Sequence, residues 1–341
     1  MNSVVFDKII SGHSLSRPES RQIMTSLMAG ELSATQIAAY LVALRTKGET
    51  VDELTGAAEA MRDAAIEVPH GLPFVVDTCG TGGDGKGAFN VSTAASFVVA
   101  ALGFPVAKHG NRSISSRCGS ADLLETLGVG IQSDASLAAK CLQDIGMAFL
   151  FAPAFHPAMK HAMPVRKQLG VRTIFNILGP LTNPARPVVQ LVGVYDKTLV
   201  EPVAHVLVAL GCKEGFVVHG EGYDEIILSG ETQVAEIHDG KISAKRWNPS
   251  DFGMDKQTST ESLGSGPKEN ALMFSELIEG KKSPLRHVVC ANAAAVVVAA
   301  TRLKTKKTMT LPEAFQLAQE AIDSGKAYSK FNDLKRMTAH G

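Results

Sequence analysis

Apolar residues recur along this chain at two different periods. In the first seventy residues the period is helical. Ile37, Leu41 and Leu44 follow Ser33 on one helical face, and Leu54, Ala57, Ala58, Met61 and Ala65 do the same after Thr50. Three segments carry a hydroxyl residue with Glu or Gln three places on: Ser16-Arg17-Pro18-Glu19, Ser33-Ala34-Thr35-Gln36 and Thr50-Val51-Asp52-Glu53. In that pattern side chain and backbone cap each other at a helix start. Pro18 suits a first helical turn, and Gly30 and Gly48 stand where the preceding helices have to stop. The expectation is a small helical domain of short hairpins over residues 1–70.

From Phe74 the rhythm changes. Short apolar runs at Phe74–Val76, Phe104–Ala107, Met147–Phe151, Val188–Val194 and Gly215–Val218 alternate with helical patterns at Thr93–Leu102, Ser120–Leu127, Asp134–Ile145 and Thr198–Leu210. Such alternation predicts an α/β domain with a mostly parallel central sheet. Thr232 to Ile237 alternates polar and apolar residues, as an antiparallel strand at the sheet edge does. Met163 to Pro187 holds too many Pro and Gly for a regular crossover helix and is expected to pack back on the helical domain. Residues 247–270 are polar and read as a surface loop, and Leu285–Leu303 and Leu311–Ser324 as helices. The fold class is therefore α/β, a small helical domain (1–70, with 165–187 packing on it) beside a large α/β domain (71–164 and 188–341).

Composition narrows the function. With 341 residues, 45% of them hydrophobic, the chain can bury a substantial core; Lys+Arg and Asp+Glu balance at 34 each. A neutral chain argues against broad attachment to nucleic acid or to a membrane surface. Cys79, Cys118, Cys141, Cys212 and Cys290 are widely spaced and form no C-x-x-C pair, which fits reduced thiols in a cytoplasm and gives no zinc site. No charged segment followed by an apolar one opens the chain, so no secretory signal is expected. Cys290–Thr301 is apolar, too short to span a bilayer, and expected to be a buried helix.

The candidate chemistry sits where apolar runs end. Phe74-Val75-Val76 leads into Asp77-Thr78-Cys79-Gly80-Thr81-Gly82-Gly83-Asp84, and Phe104–Ala107 into Lys108-His109-Gly110-Asn111-Arg112. A glycine-rich turn converges backbone N–H groups on an anion. The order Gly-Thr-Gly-Gly-Asp is neither the dinucleotide fingerprint nor the Walker loop. Taken alone it serves equally well as a strand-exit turn. Two polar loops after two strands suggest one crevice at the carboxyl edge of a parallel sheet. Asp224-Glu225, after another apolar run, offers hard oxygen ligands for magnesium held with a polyphosphate; an isolated pair is otherwise an exposed acidic turn. Arg166 and Arg172 are equal candidates for a carboxylate-binding fork. His109, His156 and His219 lie near these loops, and a structural hydrogen bond is the commoner use of each.

At this point the chain resembles a known family. Gly80-Thr81-Gly82-Gly83-Asp84, Asn90-Val91-Ser92-Thr93, Lys108-His109-Gly110-Asn111-Arg112, Gly119-Ser120-Ala121-Asp122, His156-Pro157, Arg166, Arg172-Thr173-Ile174-Phe175-Asn176 and Asp224-Glu225, in this order, are similar to the anthranilate phosphoribosyltransferases of tryptophan biosynthesis. The resemblance runs over nearly the whole chain and is weakest after about residue 240. It implies a cytoplasmic homodimer whose active site lies between a helical and an α/β domain. It implies that Gly80, Gly82, Gly83, Asp84, Asn90, Ser92, Thr93, Lys108, His109, Gly110, Asn111, Arg112, Ser115, Ser116 and Ser120 surround phosphoribosyl pyrophosphate. By the same carry-over Ser92, Asp224 and Glu225 bind the cofactor Mg2+, and Asn111 and Arg166 meet anthranilate. Lys108, with magnesium, would stabilise the leaving group, Asn111 and Arg166 would position the acceptor, and His109 is one candidate to receive the proton. Ala88 departs from the family, which usually has a hydroxyl there. Two other readings stay open. One is a pyrimidine nucleoside phosphorylase of the same fold. The other is a non-catalytic paralogue binding nucleic acid or a partner protein, which should lack the paired carboxylates and carry a basic surface.

Overall fold

The computed structural model describes residues 3–113, 117–258, 264 and 266–339. Four helices come first: α1 (Ser3–Ile10), α2 (Arg17–Met28), α3 (Ala34–Lys47) and α4 (Val51–Asp63). The three capping patterns stand at the starts of α2, α3 and α4. Glu19 accepts from Ser16 N–H at 2.7 Å, Gln36 Oε1 from Ser33 N–H at 2.9 Å, and Glu53 from Thr50 N–H at 2.8 Å. Gly48 ends α3 with φ +87°, a conformation that a residue with a Cβ resists.

Glu53 is more than a cap. Its side chain is fully buried and also accepts from Leu15 N–H (2.9 Å) and from the Lys47 ammonium (2.8 Å). Its carbonyl accepts from Ser20 Oγ at 2.7 Å. One residue thus ties α2, α3 and α4 together in a segment of short helices.

The α/β part follows in chain order: β1 (Val76–Asp77), α5 (Val91–Ala101), β2 (Val106–Gly110), α6 (Ser120–Thr126), α7 (Ala135–Ile145), β3 (Met147–Phe151), α8 (Ala152–Phe155), α9 (Met163–Leu169), α10 (Phe175–Leu178), β4 (Val189–Gly193), α11 (Val200–Ala209), β5 (Glu214–Gly220), β6 (Thr232–His238) and β7 (Lys241–Trp247). Helices α12 (Pro267–Ile278), α13 (Pro284–Thr305), α14 (Leu311–Asp323) and α15 (Lys326–Met337) complete the described chain. The sheet runs β3-β2-β1-β4-β5-β6-β7. Pairing is parallel from β3 to β5 and antiparallel for β6 and β7, as the alternation in 232–237 predicts.

Two strands differ from expectation, each for a local reason. The run at 74–76 yields a strand of only Val76 and Asp77, because the Asp77 carboxylate takes the N–H groups of Thr78 (2.7 Å) and His109 (3.3 Å). Strand β2 runs on through Lys108, His109 and Gly110, which pair with Phe149, Leu150 and Phe151 of β3. The motif expected after the strand is therefore partly the strand itself. Residues 247–270 are also less loop-like than expected, since Trp247 and Phe252 are buried and their rings meet edge-on, 5.8 Å apart.

One core covers the α5, α13 and α15 face of the sheet. Helix α13, long and apolar enough to cross a membrane, lies in this core with 72% of its most apolar stretch buried. The second core joins side chains of α1–α4 to Val165 of α9, Phe175, Ile177 and Leu178 of α10, and Val192, Val203 and Val217 on the other sheet face. Glu53→Ala should lower the unfolding free energy by about 3 kcal/mol, because it takes the carboxylate from the Lys47 ammonium and the acceptor from the buried Leu15 N–H and the half-buried Thr50 N–H. Urea denaturation reads this, and Glu53→Gln should lose less.

Candidate active site

The carboxyl edge of β1, β2 and β4 opens into a cleft of about 680 Å³. Its floor comes from the exits of β1 and β2 and the first turn of α5, and its far wall from residues 152–182 and Met61 of α4. Every described residue that the resemblance assigns to a substrate or the metal lines it: Gly80, Gly82, Gly83, Asp84, Asn90, Ser92, Thr93, Lys108, His109, Gly110, Asn111, Arg112, Ser120, Arg166, Asp224 and Glu225. Ser115 and Ser116 lie outside the described residues.

The glycine loop is shaped by close approach as well as by backbone freedom. Gly82 and Gly83 have φ +62° and +75°. A Cβ on Gly80 would stand 2.4 Å from Asp224 Oδ2, and one on Gly193 would stand 1.5 Å from the Asp224 carbonyl. Gly82 N–H donates to Asp224 Oδ2 at 2.7 Å. The exits of β1 and β4 thus close on the 224–225 turn with no room for side chains.

The first turn of α5 presents the positive end of an 11-residue helix to the cleft. Asn90 Nδ2 donates to Cys118 O, and its buried Oδ1 has no partner among the described residues; the same holds for the Thr93 hydroxyl. Both are polar atoms at a place where a ligand would supply the missing bond.

Cations gather opposite. Lys108 is buried and donates to Thr78 O at 3.0 Å. Arg166, on α9, lies 5.0 Å over the Phe175 ring and makes no ion pair among the described residues, and burial lowers its pKa. A guanidinium in a cleft with no counter-anion of its own is suited to a carboxylate ligand. The Arg112 guanidinium reaches the rim, where Glu125 (2.7 and 3.0 Å) and Asp122 (3.1 Å) hold it. Arg172 is separated from Arg166 by the fold. It does not line the cleft; it is exposed, stacks 4.6 Å over Tyr195 and donates to Gly83 O at 3.4 Å.

His109 Nδ1 bonds Gly179 O at 3.1 Å, and its buried Nε2 has no partner among the described residues. Burial, with His156 5.3 Å away, pushes its pKa down to about 3. His156 is pushed down to about 4 by burial. Both rings are neutral near pH 7 and too weakly basic to be strong proton acceptors. The third candidate, His219, bonds Val194 O at 2.8 Å and accepts from Gly222 N–H, a structural use. Cys79 is also inert, its thiol pushed up to about 12 by burial.

Burial and the neighbouring Asp84 push Asp224 up to about 6. Among the described residues no three His, Cys, Asp or Glu side chains gather as a metal cage. Two adjacent acidic residues with Ser92 nearby in the cleft suit a hydrated hard cation that takes its remaining ligands from a phosphate, and the mutual repulsion of Asp84 and Asp224 is the charge such a cation relieves.

Sequence reasoning missed Asp77 and Asn183 behind this site. Asn183 Nδ2 donates to Asp77 Oδ2 and to Ala107 O, both at 2.8 Å, bracing the β1 and β2 exits. Burial pushes Asp77 up to about 6. An acid ending an apolar strand was the available signal. Ala88 lines the cleft with a methyl group where the resemblance suggests a hydroxyl.

Comparison with known proteins agrees along the chain. A model of the glycosyl transferase family α/β domain matches residues 72–328, and one of that family's helical bundle domain matches residues 4–65. An anthranilate phosphoribosyltransferase of Symbiobacterium thermophilum is 46% identical over 332 residues, 97% of this chain and 96% of the relative. The crystal structure of the Thermus thermophilus anthranilate phosphoribosyltransferase superposes with a TM-score of 0.91 at 43% identity, covering 98% of this chain and 99% of that one. The Saccharomyces cerevisiae enzyme in complex with PRPP and Mg gives 0.88 at 29% identity, covering 99% of each chain.

The pKa of Asp224 has a consequence for stability. Its folded value of about 6 lies above the ordinary 3.8, so the folded state holds the proton more tightly. Ionised Asp224 therefore subtracts stability above about pH 6, and the loss is relieved as pH falls toward about 4. Asp224→Asn keeps an oxygen for Gly82 N–H and removes the charge. In chelator, the variant should be more stable than wild type by about 1–2 kcal/mol at about pH 7.5, with the gap closing at about pH 4. Thermal melts at the two pH values check this.

Proposed function

The chain belongs to the anthranilate phosphoribosyltransferases of the glycosyl transferase family, and from that membership we propose how its own residues carry the reaction. It transfers the phosphoribosyl group of phosphoribosyl pyrophosphate to the amine of anthranilate, giving N-(5-phosphoribosyl)anthranilate and pyrophosphate. The observation that carries the assignment of roles is the cleft itself. It pairs an anion-binding floor with a separate guanidinium, Arg166, that has no ion-pair partner among the described residues.

Phosphoribosyl pyrophosphate lies along the glycine loop and the first turn of α5. Backbone N–H groups of the loop beyond Gly82, whose own N–H is taken by Asp224, and the hydroxyls of Ser92 and Thr93 hold its phosphates. Asn111 and Ser120 bound the same floor. Ser92, Asp224 and Glu225 would hold magnesium together with phosphate oxygens, and the ion would supply positive charge to the pyrophosphate.

The anthranilate amine is neutral near pH 7 and already has its lone pair, so it needs no base before attack. The bond from the anomeric carbon to pyrophosphate oxygen breaks with oxocarbenium character, and the bond to nitrogen forms. Lys108 stabilises the departing charge, which is where electrostatic catalysis is most effective. Arg166 and Asn111 fix the acceptor, converting the encounter into a positioned one. The proton on nitrogen leaves late, to water or to pyrophosphate, since a His109 held near pKa 3 is a poor acceptor.

We read the helical segment 1–70, with 165–187 on it, as one domain, and 71–164 with 188–341 as the other. The second core, shared between Tyr40 or Leu44 and Val192 or Val203, supports close docking of the two. A homodimer through the helical segment accounts for the exposed Ile10 and Val42 of α1 and α3. The five cysteines, all buried and unbridged, fit a cytoplasmic location, which cell fractionation tests.

Loss of anthranilate fluorescence should require both phosphoribosyl pyrophosphate and magnesium; turnover of a pyrimidine nucleoside with phosphate instead would overturn the assignment. In the same assay Arg166→Ala should raise the KM for anthranilate about ten- to a hundredfold and leave that for phosphoribosyl pyrophosphate much less changed. Arg166→Lys should rescue only partly, because ammonium offers a point charge in place of a fork. Light scattering in dilute solution should give twice the 36.0 kDa chain mass, and a fully active monomer would refute the dimer.

A further inference from the structure

We propose that Arg172 is a positioning residue for the substrate pyrophosphate, acting through the glycine loop from outside the cleft. The inference rests on the function proposed above and deepens its account of the loop.

Within the loop itself, Thr81 Oγ1 donates to Gly82 O at 3.1 Å and Lys86 N–H to Asp84 Oδ1 at 3.0 Å. Gly82, Gly83, Gly85 and Gly87 all have positive φ, and glycine loses more backbone freedom on ordering than any other residue. Among the described residues a Cβ at Gly82 or Gly85 would meet nothing within 4 Å, so at these two positions the backbone has open space beside it. Its shape therefore depends on a few polar contacts. At the start, Thr81 N–H donates to Gly193 O at 2.9 Å, and Thr81 Oγ1 accepts from Tyr195 N–H at 3.1 Å. Gly82 N–H is held by Asp224. The next hold is on Gly83, whose carbonyl accepts from Arg172 Nη1 at 3.4 Å.

Arg172 can hold Gly83 because its guanidinium is itself located by a ring. It lies 4.6 Å over Tyr195, two residues beyond the end of β4. Tyr195 is joined through its N–H to Thr81 on the same loop. Arg172 and Tyr195 thus form a bracket that holds the Gly83 carbonyl, and with it the backbone of the anion-binding turn, through a side chain that does not itself line the cleft. Because the Arg172 side chain is exposed, it contributes to the conformation of the loop and little to global stability, whereas the Tyr195 ring also packs against the second core. For Arg172 that is the opposite of the structural role a basic residue between Gly170 and Thr173 would suggest.

The test measures both Michaelis constants, inorganic pyrophosphate binding by calorimetry, and thermal midpoints. Arg172→Ala and Tyr195→Ala should each raise the KM for phosphoribosyl pyrophosphate and weaken pyrophosphate binding about three- to tenfold. The KM for anthranilate should change less than about twofold in both, and the midpoint of Arg172→Ala by less than about 2 °C, whereas Tyr195→Ala, which also removes a ring packed against the second core, should melt lower. Tyr195→Phe, which keeps the ring face, should behave as wild type, and Arg172→Lys should recover part of the loss. The double alanine variant should be no worse than either single variant, because the two side chains act as one bracket. An unchanged pyrophosphate affinity, an equal rise in both constants, or a defect confined to anthranilate overturns the positioning role. The calorimetric arm needs no turnover. A wild type that binds pyrophosphate without consuming anthranilate would therefore sink the functional reading alone, and the variants would still decide the role of Arg172.

Discussion

The active cleft depends on one steric constraint: the exits of β1 and β4 close on the 224–225 turn to a distance that only glycine allows. Gly193 meets the Asp224 backbone and Gly80 meets its carboxylate, each closer than any Cβ could stand. That approach brings an acidic side chain from beyond β5 onto a glycine loop after β1, more than a hundred residues earlier in the chain. It also lets Gly82 N–H reach Asp224. A side chain at either glycine would separate the phosphate-binding backbone from the carboxylates that hold magnesium in the proposed function.

The electrostatics follow from that geometry. Asp224 and Asp84 repel each other and are partly desolvated, and Arg166 sits at reduced pKa without a counter-anion among the described residues. Each is a local cost to the protein alone, and each is relieved by the groups proposed to bind there: a divalent cation, a polyphosphate and an aryl carboxylate. Sites of this kind exchange stability for function. The surrounding structure makes up the difference through ordinary means: buried α13, the capped helices of the N-terminal segment, and the Asp77–Asn183 brace behind the strands.

Much of this was legible from local chemistry. Capping patterns, apolar periods and the change of rhythm near Phe74 foretold the helical segment, the parallel sheet and its antiparallel edge, because each is governed by residues a few positions apart. Lys108 to Arg112 was legible as chemistry and misread as conformation: its polar residues suggested a loop, and β3 draws them into a strand by offering a full parallel ladder. Helices α12 and α15 passed unnoticed, and Trp247 and Phe252 were taken for surface.

The sequence by itself determined the fold class, the family and the set of residues that gather in the cleft, since those are properties of motif and order. Residue type alone could not choose between Arg166 and Arg172, which are six positions apart; only the resemblance singled out Arg166. Tertiary structure separates the two. Arg166 lies on α9 and faces the cleft over Phe175, whereas Arg172, after the Gly170 stop, stacks on Tyr195 from β4's exit. Nor could the sequence tell that His109 is neutral and Arg112 already paired. Protonation and pairing depend on burial and on partners brought near by folding, such as Gly179, His156 and Glu125, and those distances exist only in three dimensions.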